Sequence, residues 1–418
     1  MEKKYTQQAL NELKVVDFGI AGVNPMTTKF LADHGATVVR IESHTRPDIQ
    51  RLGKPFKDNI PGINRSGLYA NCNTSKYSAT LDLTKPRGKE VALRFIKWAD
   101  IVCEGMVPGT MKRLGLDYES IRSTDPGVIF FSTSQQGQYG PRSKFGGFGF
   151  QACAISGIFH LVGWPDRAPG GLYGAYTDWI NPPLGVAAIL AALDHRRRTG
   201  KGQYIDQSQL EGALLFFAPI IMDYATNGSI MKRNGDHLPC ASPHGAYPCK
   251  GDDSWIAIAI FNDKEWATLC NLMGKPELLT DIKFSTLKAR KGNEDELDCL
   301  IGEWTQYYTA EQLMTMLQSA SIASGPIRQV KDLFNDPQLK YRSHFRWLNH
   351  SGVGYIACDG PAFKLSKTPD SQFAAPALGE HNEYVYKELL GLSDDEITDL
   401  ILEHVITTES DLSEYRVM

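Results

Sequence analysis

Residues 13–18 (LKVVDF) form a short apolar run containing two β-branched residues, Val15 and Val16. A glycine-bearing stretch at 19–24 follows, and 25–34 then takes on a helix-like texture that Gly35 stops. Positions 37–41 return to β-branched residues, so the chain opens with a predicted strand, helix and strand. The alternation continues: 89–99 predicts a helix, 101–104 a strand, and 127–132 (GVIFFS) a buried strand ending in a Ser, Thr, Gln and Gly loop. Strands alternating with helices imply an α/β domain with a parallel sheet.

Asn181 before Pro182 predicts a helix start, because asparagine caps a first turn and proline there gives up no needed hydrogen bond. Val186, Ile189, Leu190 and Leu193 then share one face, and Arg196, Arg197 and Arg198 complement the helix end before Gly200. Residues 203–206 predict another short strand, and Ser208 with Glu211 a capping box before a helix from about Leu210. Gly, Asn, Asp and Pro crowd positions 227–242, the texture of a linker. Beyond it, a strand at 255–261 and helices at 264–273, 294–307 and 310–319 predict a smaller α+β domain. The expected division is 1–225 for the large domain, 226–335 for the small one, and 336–418 for a return segment completing the first. A predicted helix at 394–403 packs back there.

Composition narrows the classes. With 418 residues, 42% hydrophobic and 22% charged, the chain reads as an ordinary globular protein of two domains. A net charge of -4 without a long basic stretch gives no electrostatic reason to expect nucleic acid. The first residues lack the apolar core of a secretory signal, and no run approaches the ~20 apolar residues of a membrane span. A cytoplasmic protein without a membrane partner is therefore expected. Eight cysteines without a CxxC pair, and ten histidines without HExxH, predict neither a disulfide framework nor a bound metal.

Asp178 lies in GAYTDWINPP, three residues before Asn181. The positive end of the following helix is expected to favour its ionised form, and a carboxylate is a competent nucleophile toward an activated acyl group. A turn or capping residue is the plainer reading. The loop 135–141 (QQGQYGP) follows a predicted buried strand, where ligands bind in open α/β sheets, and its glycines let amides approach an anionic oxygen. Arg40, Lys76 and Arg113 could together hold the phosphates of a nucleotide-like ligand, although each alone also reads as surface charge. The first turn, GIAGVN, lacks GxGxxG, which argues against a nicotinamide dehydrogenase. His160, His237 and His244 are candidate proton shuttles, and Phe145, Phe148, Phe150 and Trp179 candidate walls of an apolar pocket.

The segments LKVVDF, GATVVRIE, NTSKYSATLDL, VPGTMKRLGLDY and GQYGP, then Asp178 followed by AAILAALDHRRRTGKGQYIDQS, resemble in that order the family III CoA-transferases. The resemblance continues through GPIRQVKDLFNDPQ and LGEHNEYVYKELLGLSDDEI, so it covers nearly the whole chain. It implies a Rossmann-like large domain made from both ends of the chain, a small α+β domain between them, and an interlocked dimer whose second subunit is identical or homologous. It implies an acyl-CoA donor, a carboxylic acid acceptor, and coenzyme A carried through a mixed anhydride and an aspartyl-CoA thioester on Asp178. By the same likeness Arg40, Asn73, Lys76, Arg113 and Lys144 are expected to contact CoA, and the amides of Gln136, Gly137 and Gln138 to stabilise the oxyanion.

Related acyl-CoA racemases use a His and Asp pair that falls here at Phe148 and Gly149, so a racemase would lack a proton carrier. A non-catalytic subunit of a heteromeric transferase is a further alternative. Three features depart from the family pattern: Gly105 in EGMVPG, no glycine run between 227 and 244, and Gln135 and Gln136 where a glycine and an aromatic are common. The polar loop and the aromatic segment together resemble the branch acting on succinyl-CoA and aromatic acids. A benzylsuccinate-type acceptor is accordingly expected.

Overall fold

The computed structural model describes residues 8–407 and Asp411. Six strands, β1 (Lys14–Phe18), β2 (Thr37–Glu42), β3 (Tyr77–Thr80), β4 (Ile101–Glu104), β5 (Ile129–Ser134) and β6 (Tyr204–Ser208), form one parallel sheet in the order 3-2-1-4-5-6. Val15, Val16, Val38, Val39, Ile101 and Val102 are all fully buried. A sheet covered on both faces needs apolar residues at successive positions, which is why Val15 and Val16, Val38 and Val39, and Ile101 and Val102 are adjacent apolar pairs. The helices used below are α1 (Val23–Asp33), α2 (Pro86–Trp98), α3 (Gly149–Ile155), α4 (Tyr176–Ile180), α5 (Pro182–Thr199), α6 (Gln209–Phe216) and α7 (Ala218–Asn227).

One sheet face packs Val16, Val39, Val102 and Phe130 against Val91 and Phe95 of α2. The other packs Val15, Val38, Ile101 and Phe131 against Leu31 of α1 and Ile189 and Leu193 of α5. Leu190, expected on that apolar stripe, is instead exposed, and Gly185 and Ala192 take the inner positions. The order of strands reverses between β1 and β4, and the crevice beyond their carboxyl ends is where such sheets bind ligands.

The chain divides into two compact units: residues 1–158, 171–230 and 342–418, and residues 159–170 with 231–341. The second unit has an antiparallel sheet in the order β7 (His244–Pro248), β8 (Trp255–Ala259), β9 (Ala323–Ile327). Ile256 and Ile258 point inward from it onto Trp266 of α8 (Asp263–Leu272), Ile301 of α9 (Glu294–Thr305) and Leu313 of α10 (Ala310–Ser319). Residues 159–170, which the sequence reading left in the large domain, join this unit through tertiary bonds that no periodicity reports. Gly163 O accepts from Gly235 N at 3.0 Å, His160 O accepts from Arg233 Nη1 at 3.1 Å, and the Trp164 ring meets His237 edge-on at 5.7 Å.

The last segment returns to the first unit. It carries an antiparallel hairpin, β10 (Phe345–His350) with β11 (Gly354–Asp359), and α11 (Asp394–Leu402). Leu400 and Val405 enter the α2 core, and Arg94 pairs with Glu396 at 3.0 Å. Neither β3 nor the hairpin was anticipated, since the four residues YSAT are short and half polar. Among the described residues no helix is long and apolar enough to cross a membrane, and no three His, Cys, Asp or Glu side chains are grouped to hold a metal ion.

Candidate active site

Residues 176–180 form the single turn α4, with Asp178 in it. Buried Thr177 donates its Oγ1 hydrogen to Gly149 O at 3.0 Å and so ties α4 to α3. Asn181 does not cap α5 with its side chain, because its backbone is already helical (φ -80, ψ -33). Its Nδ2 donates instead to Thr177 O at 2.8 Å and Gln209 O at 3.2 Å, and Gln207 Nε2 donates to Asn181 O at 2.9 Å. This buried knot fixes α4 against α5, β6 and α6.

Two glycines make room for the Asp178 carboxyl. A Cβ on Gly22, in the loop after β1, would fall 2.6–2.7 Å from Asp178 Cβ, Cγ and Oδ2. A Cβ on Gly149 would fall 2.5 Å from its Oδ1 and 2.6 Å from Ala175 Cβ. The carboxyl is thus held between the loop leaving β1, at the switch point of the sheet, and the start of α3. Its oxygens have no hydrogen-bond or ion-pair partner among the described residues. Burial alone raises its pKa from 3.8 to about 6. The expected favouring of the ionised form by a helix terminus is overruled: desolvation acts on the charged form and no donor reaches the oxygens. Above pH 6 the group is a poorly solvated carboxylate without a partner among the described residues, a state in which a carboxylate is able to act as a nucleophile.

Arg40, Asn73 and Lys76 come together, but in the interior. All three are fully buried. Arg40 donates to Asp17 Oδ1 at 2.9 Å and to Asp48, and Lys76 Nζ donates to Asp17 Oδ2 at 3.2 Å, Pro25 O at 2.8 Å and Asn73 Oδ1 at 2.8 Å. Asp17 also accepts from Asn24 Nδ2 at 2.6 Å and Thr28 Oγ1 at 2.7 Å. Burial pushes the Asp17 carboxyl up, but Arg40 and Lys76 outweigh it and hold it at about 2. Burial lowers Lys76 to about 8 against the pull of Asp17. Arg40 and Lys76, cations that the sequence offers to a phosphate or to solvent, are here internal counterions of Asp17, a pairing that spacing along the chain does not report. Arg113 and Lys144 are exposed, Arg113 on the helix Thr110–Leu114 with Nη2 donating to Thr110 Oγ1 at 2.8 Å, and neither has an ion pair among the described residues.

The loop after β5 is pinned by two carboxyl groups. Gln138 N donates to Asp206 Oδ1 and Oδ2 at 3.0 and 2.9 Å, and Gln138 Nε2 to Glu104 Oε1 at 3.2 Å. Gly137 takes φ +84, a conformation that glycine supplies without strain. The Gln138 amide therefore faces Asp206 in this conformation, while Gln136 is half-buried with an unpaired Nε2. Burial raises Glu104 to about 7, so it titrates near neutrality at the end of β4. Glu104, Asp206, Gly22 and Thr177 escaped sequence reasoning, and Gly149 entered it only as the position of the racemase aspartate. Only the position of Glu104 and Asp206 on predicted strands could have pointed to them.

Phe148 and Trp179 are 60% and 43% exposed, and Phe145 and Phe150 are also open, so these aromatics are not core. His160, His237 and His244 all belong to the second unit. His237 is bracketed by Glu294 at 3.4 Å and Asp298 at 3.2 Å, and His244 Nδ1 meets Asp236 O.

A parallel sheet of Rossmann strand order with an unpaired carboxyl beside its switch point places a ligand-binding crevice at the carboxyl ends of the strands, the architecture of an α/β ligand-binding protein, and comparison narrows it. The sequence profile of CoA-transferase family III matches residues 10–382. The chain belongs to that family and is a CoA-transferase. It is 32% identical to a succinyl-CoA–D-citramalate CoA-transferase of Chloroflexus aurantiacus, over 97% of this chain and 100% of that one. It is 30% identical to the β subunit of a succinyl-CoA–L-malate CoA-transferase of the same organism, again over 97% and 100%. A solved CAIB/BAIF family protein from Brucella suis superposes with a TM-score of 0.83 at 31% identity, covering 92% of this chain and 100% of that one.

Proposed function

We propose that this chain moves CoA from succinyl-CoA to a second short dicarboxylic acid, with Asp178 as the covalent nucleophile. The observation that carries the reading is the unpaired, desolvated carboxylate between Gly22 and Gly149 at the mouth of the parallel sheet. Asp178 attacks the thioester carbonyl and expels the CoA thiolate, leaving an acyl-aspartyl anhydride. The thiolate attacks the aspartyl carbonyl, releases succinate, and leaves an aspartyl-CoA thioester. The acceptor carboxylate displaces the thiolate to form a new anhydride, and the thiolate then takes the acceptor acyl group and frees Asp178. Activation is conserved at each step, so no ATP is needed.

Both named relatives use succinyl-CoA and a dicarboxylic partner, which supports the donor and the acceptor class. Arg113 and Lys144 are exposed cations suited to the CoA phosphates, whereas Arg40, Asn73 and Lys76 support the loops from beneath. An amide of Gln136 or Gly137 is the better oxyanion donor, since Gln138 N already serves Asp206. Proton abstraction of the racemase kind is disfavoured by Gly149, where any side chain would overlap Asp178. A benzylsuccinate-type acceptor is a second reading, favoured by open Phe148, Phe150 and Trp179.

The chain works with a second, identical or homologous subunit in an interlocked dimer in the cytoplasm. Leu214, Leu215 and Phe216 of α6 and Ile221, Met222 and Tyr224 of α7 are exposed, an apolar surface that a partner chain covers. Incubation with succinyl-CoA and borohydride or hydroxylamine should modify Asp178, and Asp178→Ala should lose nearly all transfer. An Ala variant with full activity would end this reading, and native mass measurement tests the dimer.

A further inference from the structure

The loop after β5 holds a side chain that the reaction steps leave unused. Both terminal atoms of Gln135, Oε1 and Nε2, are buried without a protein partner, and so is Gln136 Nε2. The position of Gln135 is well fixed: its main-chain oxygen accepts from Leu210 N of α6 at 2.9 Å. Its carboxamide lies against Gly147, where a Cβ would fall 3.2 Å from Oε1 and 3.3 Å from Nε2. Two residues further on, Gly149 lies against the Asp178 carboxyl. Two residues of chain span at most about 7 Å, so one short stretch of backbone carries the neighbours of both groups.

A carboxamide has two donor hydrogens and an acceptor, and burying both ends unpaired is costly unless something bound there completes them. We propose that the Gln135 carboxamide receives the distal carboxylate of the acid whose near carboxyl group reacts at Asp178. The inference rests on the transferase reading above and assigns its specificity: acids with a second carboxylate are selected over monocarboxylic acids of the same length. A neutral amide suits an exchange reaction, because each acid must bind and then leave, and donor hydrogens hold an anion without the strength of an ion pair.

Single-turnover labelling of Asp178 by succinyl-CoA and by butyryl-CoA tests it, since the two acyl chains have four carbons and differ in the distal carboxylate. The wild-type enzyme should prefer succinyl-CoA. Gln135→Leu should lower its labelling efficiency about tenfold or more while that of butyryl-CoA stays within about twofold. Gln135→Glu, nearly the same shape, should disfavour succinyl-CoA further through charge repulsion, and it carries the test if the Leu variant does not fold. An equal fall for both acyl-CoAs, or no fall for either, overturns the assignment. Failure of wild-type enzyme to label with either substrate would strike instead at the transferase reading on which it stands.

Discussion

Asp178→Asn should make the protein more stable at neutral pH while abolishing transfer. The substitution keeps the shape of the side chain and removes a charge that burial disfavours. A rise in pKa from 3.8 to about 6 corresponds to about 3 kcal/mol, at about 1.4 kcal/mol per pH unit. Solvent screening at this partly open position reduces the expected gain to about 1–2 kcal/mol. The sign follows from proton linkage. Between 3.8 and 6 the folded protein holds the Asp178 proton more tightly than the unfolded chain, so wild-type stability is lost as pH rises through that window. Below 3.8 the carboxyl is neutral in both states, and the two proteins should melt together; the difference should open toward pH 6 and then level off. At roughly 2–4 °C per kcal/mol, melting curves at pH 4, 6 and 8 should show a gap of a few degrees at pH 8. A variant less stable than wild type at pH 8, or a gap unchanged by pH, would refute the desolvated-carboxylate account of this site.

Two further outcomes follow from the same geometry. Arg40→Met should destabilise the protein by about 3–5 kcal/mol, because Asp17 and Asp48 would keep buried charge without their main counterion; a raised KM for acyl-CoA with an unchanged melting temperature would instead mark Arg40 as a ligand contact. Gly149→Ala should cut transfer about 100-fold while circular dichroism stays that of a folded protein, since the added methyl group must displace both the Asp178 carboxyl and the turn at Ala175; full activity would mean the site is looser than described.

The local architecture was legible in the sequence because local patterns encode it. LKVVDF and GVIFFS read as strands and hold β1 and β5, and of the capping box expected at Ser208 and Glu211 the half in which Ser208 Oγ accepts from Glu211 N, at 3.3 Å, is formed at the start of α6. The helices of the second unit fall within a few residues of their expected ends, since their apolar stripes lie inside each segment. The order of segments also carried the family resemblance, and with it the nomination of Asp178.

What the tertiary structure decided were the surroundings of polar groups, which depend on residues far away in the chain. Nothing near position 178 announces that Gly22 and Gly149 will close on its carboxyl, leaving it unpaired and half desolvated. The run TVVRIE does not reveal that Arg40 faces Asp17 across adjacent strands. Residues 159–170 carry too little periodicity to choose a unit, and bonds to Arg233 and Gly235 chose for them. Apolar burial is written in spacing along the chain, whereas the charge state and reach of a buried polar side chain are set by whichever partners the folded topology brings within a few ångströms of it.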